Sequence, residues 1–322
     1  MSRAAAWRPE GSPCILYSPC AARGEVLDTQ LQRFLERAEA VLARIEPLLP
    51  APVPDIDWND CLAARWQRGQ HGGYLLPLDV RLDIHLQDLR GIDSQRQQLE
   101  RNTRQFLDGL PANHALLWGA RGTGKSSLVR ALLAGFHRQG LRLIEIERDH
   151  LADLPRVVEQ LRPLAQRFVL FCDDLSFEAG EGDYRVLKSV LDGSLEQAPE
   201  NVLLYATSNR RHLVPEKQSD NDNWTRVEGE LHPSEAVEDK IALSDRFGLW
   251  LSFYPFSQAH YLDVVEHWVG QLAGKAGLVW QRDTELEVMA VRFATSRGNR
   301  NGRCAYQFAR QWVGLKMLEI SQ

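Results

Sequence analysis

The run Gly119-Ala120-Arg121-Gly122-Thr123-Gly124-Lys125-Ser126, followed by Ser127, sets a glycine at each end of a short loop, then a lysine and a hydroxyl. Glycine backbones let consecutive N–H groups wrap an anion, and a helix starting there adds its positive N-terminal end. The lysine of such a loop reaches the β- and γ-phosphates of a nucleotide, and the serine hydroxyl joins the shell of Mg²⁺. The spacing therefore predicts ATP contacts over residues 119–127, with Ser126 as a metal ligand. A glycine turn with a chance lysine is the alternative. The apolar run His114 to Trp118 before the loop and the amphipathic stretch after it favour the phosphate site.

Three further stretches carry groups that such a site could use. In FVLFCDD an apolar strand ends on Asp173, a carboxylate placed to hold Mg²⁺ through water, and Asp174 next to it could polarise an attacking water. An ordinary acidic turn is the plainer reading. ATSNRR ends another strand on Asn209; if that strand lies between the first and third, the Asn209 amide could orient the water. A loop start, where asparagine is frequent, remains open. In LSDRFGLW, Arg246 stands just before a strand, badly placed for its own nucleotide but able to reach a neighbour's as an arginine finger. A surface ion pair is the alternative. SRGNRNGRCAYQF opens the last helix with Arg297, Arg300 and Arg303, either a solvated cap or phosphate ligands; Arg303 is the candidate for nucleotide sensing.

Apolar runs at His114–Trp118, Leu141–Glu147, Phe168–Cys172, Val202–Ser208 and Leu249–Phe253 read as strands. Helical stretches alternate with them, at Ser94–Leu107, Ser126–His137, up to Arg167, and Tyr184–Leu195. Alternation of this kind predicts an α/β fold with a parallel sheet covered on both faces. Past Pro255 the pattern is wholly helical and reads as a separate small domain. Near the start, Glu25–Leu49 carries apolar residues at helical spacing up to the PAPVPD stretch, and residues 55–88 read as a linker or a short β segment. Residues 210–234 read as a long polar loop containing Trp224, either mobile or partner-binding. The expected division is an extension over 1–88, a nucleotide-binding domain over 89–254 and a helical lid over 255–322.

The 322 residues carry a net charge of −5, so any nucleic-acid contact would have to be a local patch. Five scattered cysteines without a CxxC predict neither a zinc site nor a disulfide framework. With no apolar leader or spanning run, the chain is expected to be cytoplasmic.

The motifs in this order resemble the AAA+ ATPase superfamily, and within it a bacterial family of stand-alone predicted AAA+ ATPases of unassigned role. The match runs from LRGIDSQRQQLE through the phosphate loop to SRGNRNGRCAYQFARQW. The resemblance implies a P-loop NTPase sheet of five parallel strands in the order 5-1-4-3-2, an all-α lid, and a helical N-terminal extension. It implies Leu89, Gly91 and Ile92 near the adenine, and a homo-oligomeric ring, expected to be a hexamer, in which Arg246 completes the adjacent site. Many relatives carry Asp-Glu where this chain has Asp173-Asp174, which implies slow turnover unless Glu178 substitutes. The reading that follows is an enzyme hydrolysing ATP with Mg²⁺ to remodel a protein client. A nucleic-acid loader and an ATP-binding switch with little turnover are the alternatives, and a small-molecule kinase is disfavoured by the lid and the Arg246 motif.

Overall fold

The structure, a computed structural model, describes residues 21–45, 55–69, 72–176, 187, 191, 199–209, 225–227, 230–232 and 245–320. Two units divide the chain, Met1–Pro52 and Val53–Gln322. The first contributes one helix, α1 (Ala21–Ile45), close to the span that the periodicity predicts. Its Leu31, Phe34, Leu35, Val41 and Leu42 recur at three- and four-residue spacing along one face and are exposed.

In the second unit, β1 (Ala63–Gly69) and β2 (Gly72–Leu78) precede helix α2 (Asp93–Leu107). Strand β3 (Ala115–Gly119) leads through the glycine loop into α3 (Lys125–Phe136), followed by β4 (Leu141–Glu145) and α4 (Leu154–Leu161). Strands β5 (Arg167–Cys172) and β6 (Val202–Ser208) come next. A small ribbon pairs β7 (Thr225–Val227) antiparallel with β8 (Glu230–His232), so the segment read as a loop holds a hairpin. Strand β9 (Leu249–Phe253) precedes the lid helices α5 (Gln258–Ala276), α6 (Thr284–Ser296) and α7 (Gly302–Ile320). The helix expected over Tyr184–Leu195 lies, apart from Leu187 and Leu191, outside the described residues, as do Glu178, Arg210, Arg211 and Trp224.

One expectation needs correction. The main sheet has seven strands rather than five, in the order β2-β1-β4-β5-β6-β3-β9. The five strands read from the sequence do run parallel and keep the relative order 5-1-4-3-2 within it. The two added strands form an antiparallel hairpin whose first arm, β1, runs parallel to β4 with Ala63 opposite Leu143. A buried arginine explains why the hairpin sits there. The Arg142 guanidinium donates to the carbonyls of Trp58 (2.7 Å), Asn59 (3.2 Å), His137 (2.9 Å) and Leu141 (2.8 Å), stitching the approach to β1 onto the start of β4. On the hairpin itself the Trp66 indole lies flat against Gly73, where a Cβ would stand 1.8 Å from the ring.

Both faces of the sheet are apolar, as parallel strands covered by helices must be. Leu116, Ile144, Phe168, Leu170 and Leu204 pack towards α4 on one face. On the other, Leu117, Val169, Phe171 and Leu203 meet Leu99 and Phe106 of α2 and Leu128, Leu132 and Phe136 of α3. Buried polar groups there are paired: the Tyr205 hydroxyl meets Asn102 Nδ2 at 3.1 Å and Thr103 Oγ1 at 3.0 Å. The lid has a core of its own around Tyr261, Val265, Val269, Ala305 and Phe308. Among the described residues no helix is long and apolar enough to cross a membrane.

His114, just ahead of β3, accepts a hydrogen bond on Nδ1 from the Leu204 N–H at 3.0 Å, which requires that nitrogen to be unprotonated. Burial pushes its pKa down to about 4 from 6.5. The unfolded chain therefore binds the proton more readily, and the stability that this group contributes is full above pH 6.5 and is lost as the pH falls towards 4. His114→Asn, whose Oδ1 can accept the same bond without titrating, should flatten this part of the acid profile. Thermal unfolding followed between pH 7 and 4 checks it; equal slopes for both proteins would remove His114 from the account.

Candidate functional site

The glycine loop lies where β3 ends, and its geometry explains its residue types. Gly119 has φ +130°, and a Cβ there would stand 2.0 Å from the Phe253 carbonyl of β9, so only glycine permits the two strands to close. Gly122 and Gly124 also have positive φ, +76° and +103°, the left-handed region that L side chains seldom adopt. The loop's carbonyls are taken by protein donors. Lys125 Nζ reaches Gly119 O (2.9 Å) and Ala120 O (2.8 Å), and Thr123 Oγ1 also donates to Ala120 O at 2.8 Å. Because a phosphate accepts hydrogen bonds, what the loop backbone offers it is N–H groups, those of the loop and of the first turn of α3. Arg121 is exposed, and Ser127 is half-buried on α3.

Strands β5 and β6 deliver the acids and the amide next to the loop. Asp173 Oδ1 accepts from Ser126 Oγ and from Thr207 Oγ1, each at 2.6 Å. A carboxylate and two hydroxyls thus share one point, an all-oxygen set that suits a hard cation such as Mg²⁺. Asn209 bridges the two sides of the site: its Oδ1 accepts from Lys125 Nζ at 3.2 Å and its Nδ2 donates to Asp174 Oδ1. Lys125 is buried, and burial lowers its pKa against the raising effect of Asp173 and Asp174, with Arg121 lowering it further. A phosphate arriving at the loop would supply the counter-charge that the ammonium has only in part.

Asp174 has φ +55°. Aspartate and asparagine are several-fold enriched there over other non-glycine residues, because their short polar side chains bond locally. Its N–H donates to Thr207 Oγ1 at 2.9 Å, and Leu175 N–H donates to Thr207 O at 2.6 Å, so β6 holds the turn in shape. This gives a physical reason for an aspartate at this position. Thr207 itself was missed in the sequence. Its signal was its place two residues before Asn209, on the same side of the strand.

The remaining candidates separate into two groups. Leu89 and Ile92 are buried against the loop: a Cβ on Gly124 would stand 3.6 Å from Ile92 Cδ1 and 4.0 Å from Leu89 Cδ2. Gly91 has φ +72° and is covered by His260 of α5, whose Nε2 lies 3.0 Å from Arg90 O. A cavity of about 800 Å³ beside it is lined by Arg90, Gly91, Asp93, His260, Asp263 and Glu266. Arg246, half-buried, precedes β9, whose Leu249 pairs with Ala115 at the start of β3. It therefore stands at the opposite end of the sheet from the loop, roughly 16 Å of strand away. Of the three lid arginines, Arg297 is engaged with Gln307 (2.9 Å) and the Phe293 ring, while Arg300 and Arg303 are exposed.

The turn at Asp174 can be tested directly. Asp174→Asn should leave the thermal midpoint near that of the parent. Asp174→Glu should cost on the order of 1 kcal/mol, because glutamate adopts a left-handed backbone less readily and its longer side chain misplaces the carboxylate from Asn209. Denaturant unfolding of the two variants decides it; a glutamate variant as stable as the parent would mean that the turn relaxes at no cost.

Residues 59–316 match the family described as "Protein of unknown function (DUF815)". No curated protein matches significantly. Among solved structures, a proline-to-glycine mutant of Thermotoga maritima RuvB is similar at 15% identity and TM-score 0.47, over 70% of this chain and 64% of that one. The Aeropyrum pernix ORC1 protein in complex with DNA is similar at 16% identity and TM-score 0.49, over 73% of this chain and 65% of that one. The T. maritima RuvB Holliday junction branch migration motor is similar at 13% identity and TM-score 0.41, over 70% and 71%. The chain spans less than two thirds of the length of the first two.

Proposed function

The chain belongs to the DUF815 family, and from that premise we propose that it has an AAA+ core, binds ATP with Mg²⁺ and hydrolyses it to remodel a protein client. One observation carries the reading. Lys125, Ser126, Asp173, Asp174 and Asn209, drawn from one helix and the ends of two strands, are joined through Thr207 into a single hydrogen-bonded group beside a glycine loop. Structural ion pairs seldom gather a lysine, two acids and an amide at a sheet's C-terminal edge, the usual ligand site of α/β sheets.

In this reading the N–H groups of residues 121–126 hold the phosphates, and Lys125 leaves the loop carbonyls for the β- and γ-oxygens, where its bonds are charge-assisted. Ser126 and Asp173 hold the metal, which when bound neutralises charge between the β- and γ-phosphates. The Asp174 carboxylate takes a proton from the attacking water while the Asn209 amide orients it. Leu89, Gly91 and Ile92 flank the adenine, and Arg303 senses the nucleotide from the lid. Arg246, remote from its own loop, serves the site of a neighbouring subunit in a ring. The net charge of −5 weighs towards a protein client over nucleic acid.

Two measurements test this. Lys125→Ala should abolish equilibrium binding of a fluorescent ATP analogue, and Asp174→Asn should keep binding but lose most steady-state phosphate release. Unchanged binding in the lysine variant would overturn the phosphate site. For the ring, arginine fingers contribute on the order of 10³–10⁵ in rate, so turnover per subunit should rise with protein concentration. Mixing inactive Arg246→Ala with inactive Lys125→Ala should restore part of the activity, because a mixed interface pairs an intact loop with an intact finger. Concentration-independent turnover by a monomer, with Arg246→Ala fully active, would sink the ring.

A further inference from the structure

We infer that Asn301 latches the helical lid onto the phosphate loop, so that the position of α7, and with it Arg303, is set by the loop's own backbone. The inference rests on the ATP reading above and assigns a role to a residue that carries no charge. Asn301 uses both ends of its amide. Its Oδ1 accepts from the Cys304 N–H at 2.9 Å, capping the first turn of α7, while its Nδ2 donates to Arg121 O at 3.2 Å. The next residue adds a second bond, from Gly302 N–H to Gly122 O at 2.9 Å. Two successive loop carbonyls, 121 and 122, are thereby held by two successive lid residues.

The fit is tight on both sides. A Cβ on Gly122 would stand 2.6 Å from the Asn301 amide, so the loop glycine leaves the room that the asparagine fills. A Cβ on Gly302 would stand 3.2 Å from Gly122 O and 3.8 Å from the Phe256 ring. A helix start merely resting on the loop would tolerate a methyl group here. A helix start that donates its N–H across the gap would be pushed away by one.

The lid has a second anchor, and the two differ in kind. On α5, His260 covers Gly91 and His267 Nε2 meets the buried Asp88 at 3.1 Å, both on the segment leading into α2. If the α7 contact alone is released, the α5 anchor remains as a hinge. Asn301 is thus a positioning residue: it touches the loop, not the phosphates, and carries Arg303 two residues further along the same turn. Filling or emptying of the loop by phosphate shifts carbonyls 121 and 122, and the lid follows.

The experiment separates capping from latching. Asn301→Ser keeps a hydroxyl able to cap α7 but is too short to reach Arg121 O, and Gly302→Ala keeps the helix while crowding the second bond. For both variants the latch predicts a nucleotide-free thermal midpoint near the parent's, with faster hydrogen exchange in peptides covering 119–127. It also predicts affinity for a fluorescent ATP analogue reduced roughly five- to tenfold, the worth of one hydrogen bond. Arg303→Ala should weaken binding in the parent yet add little to Asn301→Ser, since an arginine on a released lid is already out of place. Unchanged exchange over 119–127, unchanged affinity, or full additivity with Arg303→Ala would each overturn the latch. Should the parent bind no ATP, the ATP reading fails by itself, and the nucleotide-free exchange still decides whether Asn301 holds the loop.

Discussion

A single carboxylate oxygen ties the centre of the molecule together. Asp173 Oδ1 accepts from Ser126 on α3 and from Thr207 on β6 while its own backbone directly follows β5. Two strands and the loop helix thus meet at one atom. Thr207 then passes the constraint on, fixing Asp174 through its hydroxyl and Leu175 through its carbonyl. Without that junction, Asn209 would have no fixed Asp174 to bond, and Lys125 would lose the amide that turns it towards the acids. The charge pattern of the site follows from this short chain of hydroxyl, carboxylate and amide.

The lid is held to the same centre by a few bonds on two sides. Asn301 and Gly302 grip the loop backbone, and His260 and His267 grip the segment ahead of α2. The Asn301 and Gly302 bonds join uncharged groups and contribute about 1 kcal/mol each in net terms, small enough to be exchanged when a ligand reorganises the loop. The sheet itself is held very differently. Its edge hairpin is fastened by Arg142, a cation that stays charged at every physiological pH and is enclosed by four carbonyls. Permanent fastening at the edge and exchangeable fastening at the lid suit a body that stays rigid while one part moves.

Much of this was legible in the sequence where local chemistry dictates local structure. The phosphate loop must follow a strand and open a helix, so β3 and α3 fall within one residue of expectation, and the continuous apolar run Val202–Ser208 gives β6 its span. Strand β1 was read only as part of a linker or short β segment over 55–88, because Arg65, Gln67 and Arg68 dilute its apolar count and its buried residues are Ala63, Ala64 and Trp66. Its place in the sheet depends on Arg142, some 75 residues away, which no local pattern announces. Thr207 and Asn301 were missed for a related reason. A threonine in a strand and an asparagine before a glycine are ordinary, and they gain meaning only once β6 lies beside β5 and α7 lies on the loop.

The left-handed backbone at Asp174 has an evolutionary corollary. A position that accepts only residues able to bond locally at positive φ has a short list of tolerated side chains, headed by aspartate and asparagine. These two differ by one atom group and a single nucleotide change, and both satisfy the same turn. In the reading proposed above, with Asp174 as the water's base, exchange of aspartate for asparagine removes the base without disturbing the surrounding fold. Descendants with asparagine here would keep the shape and the interfaces of their ancestor and lose only its chemistry.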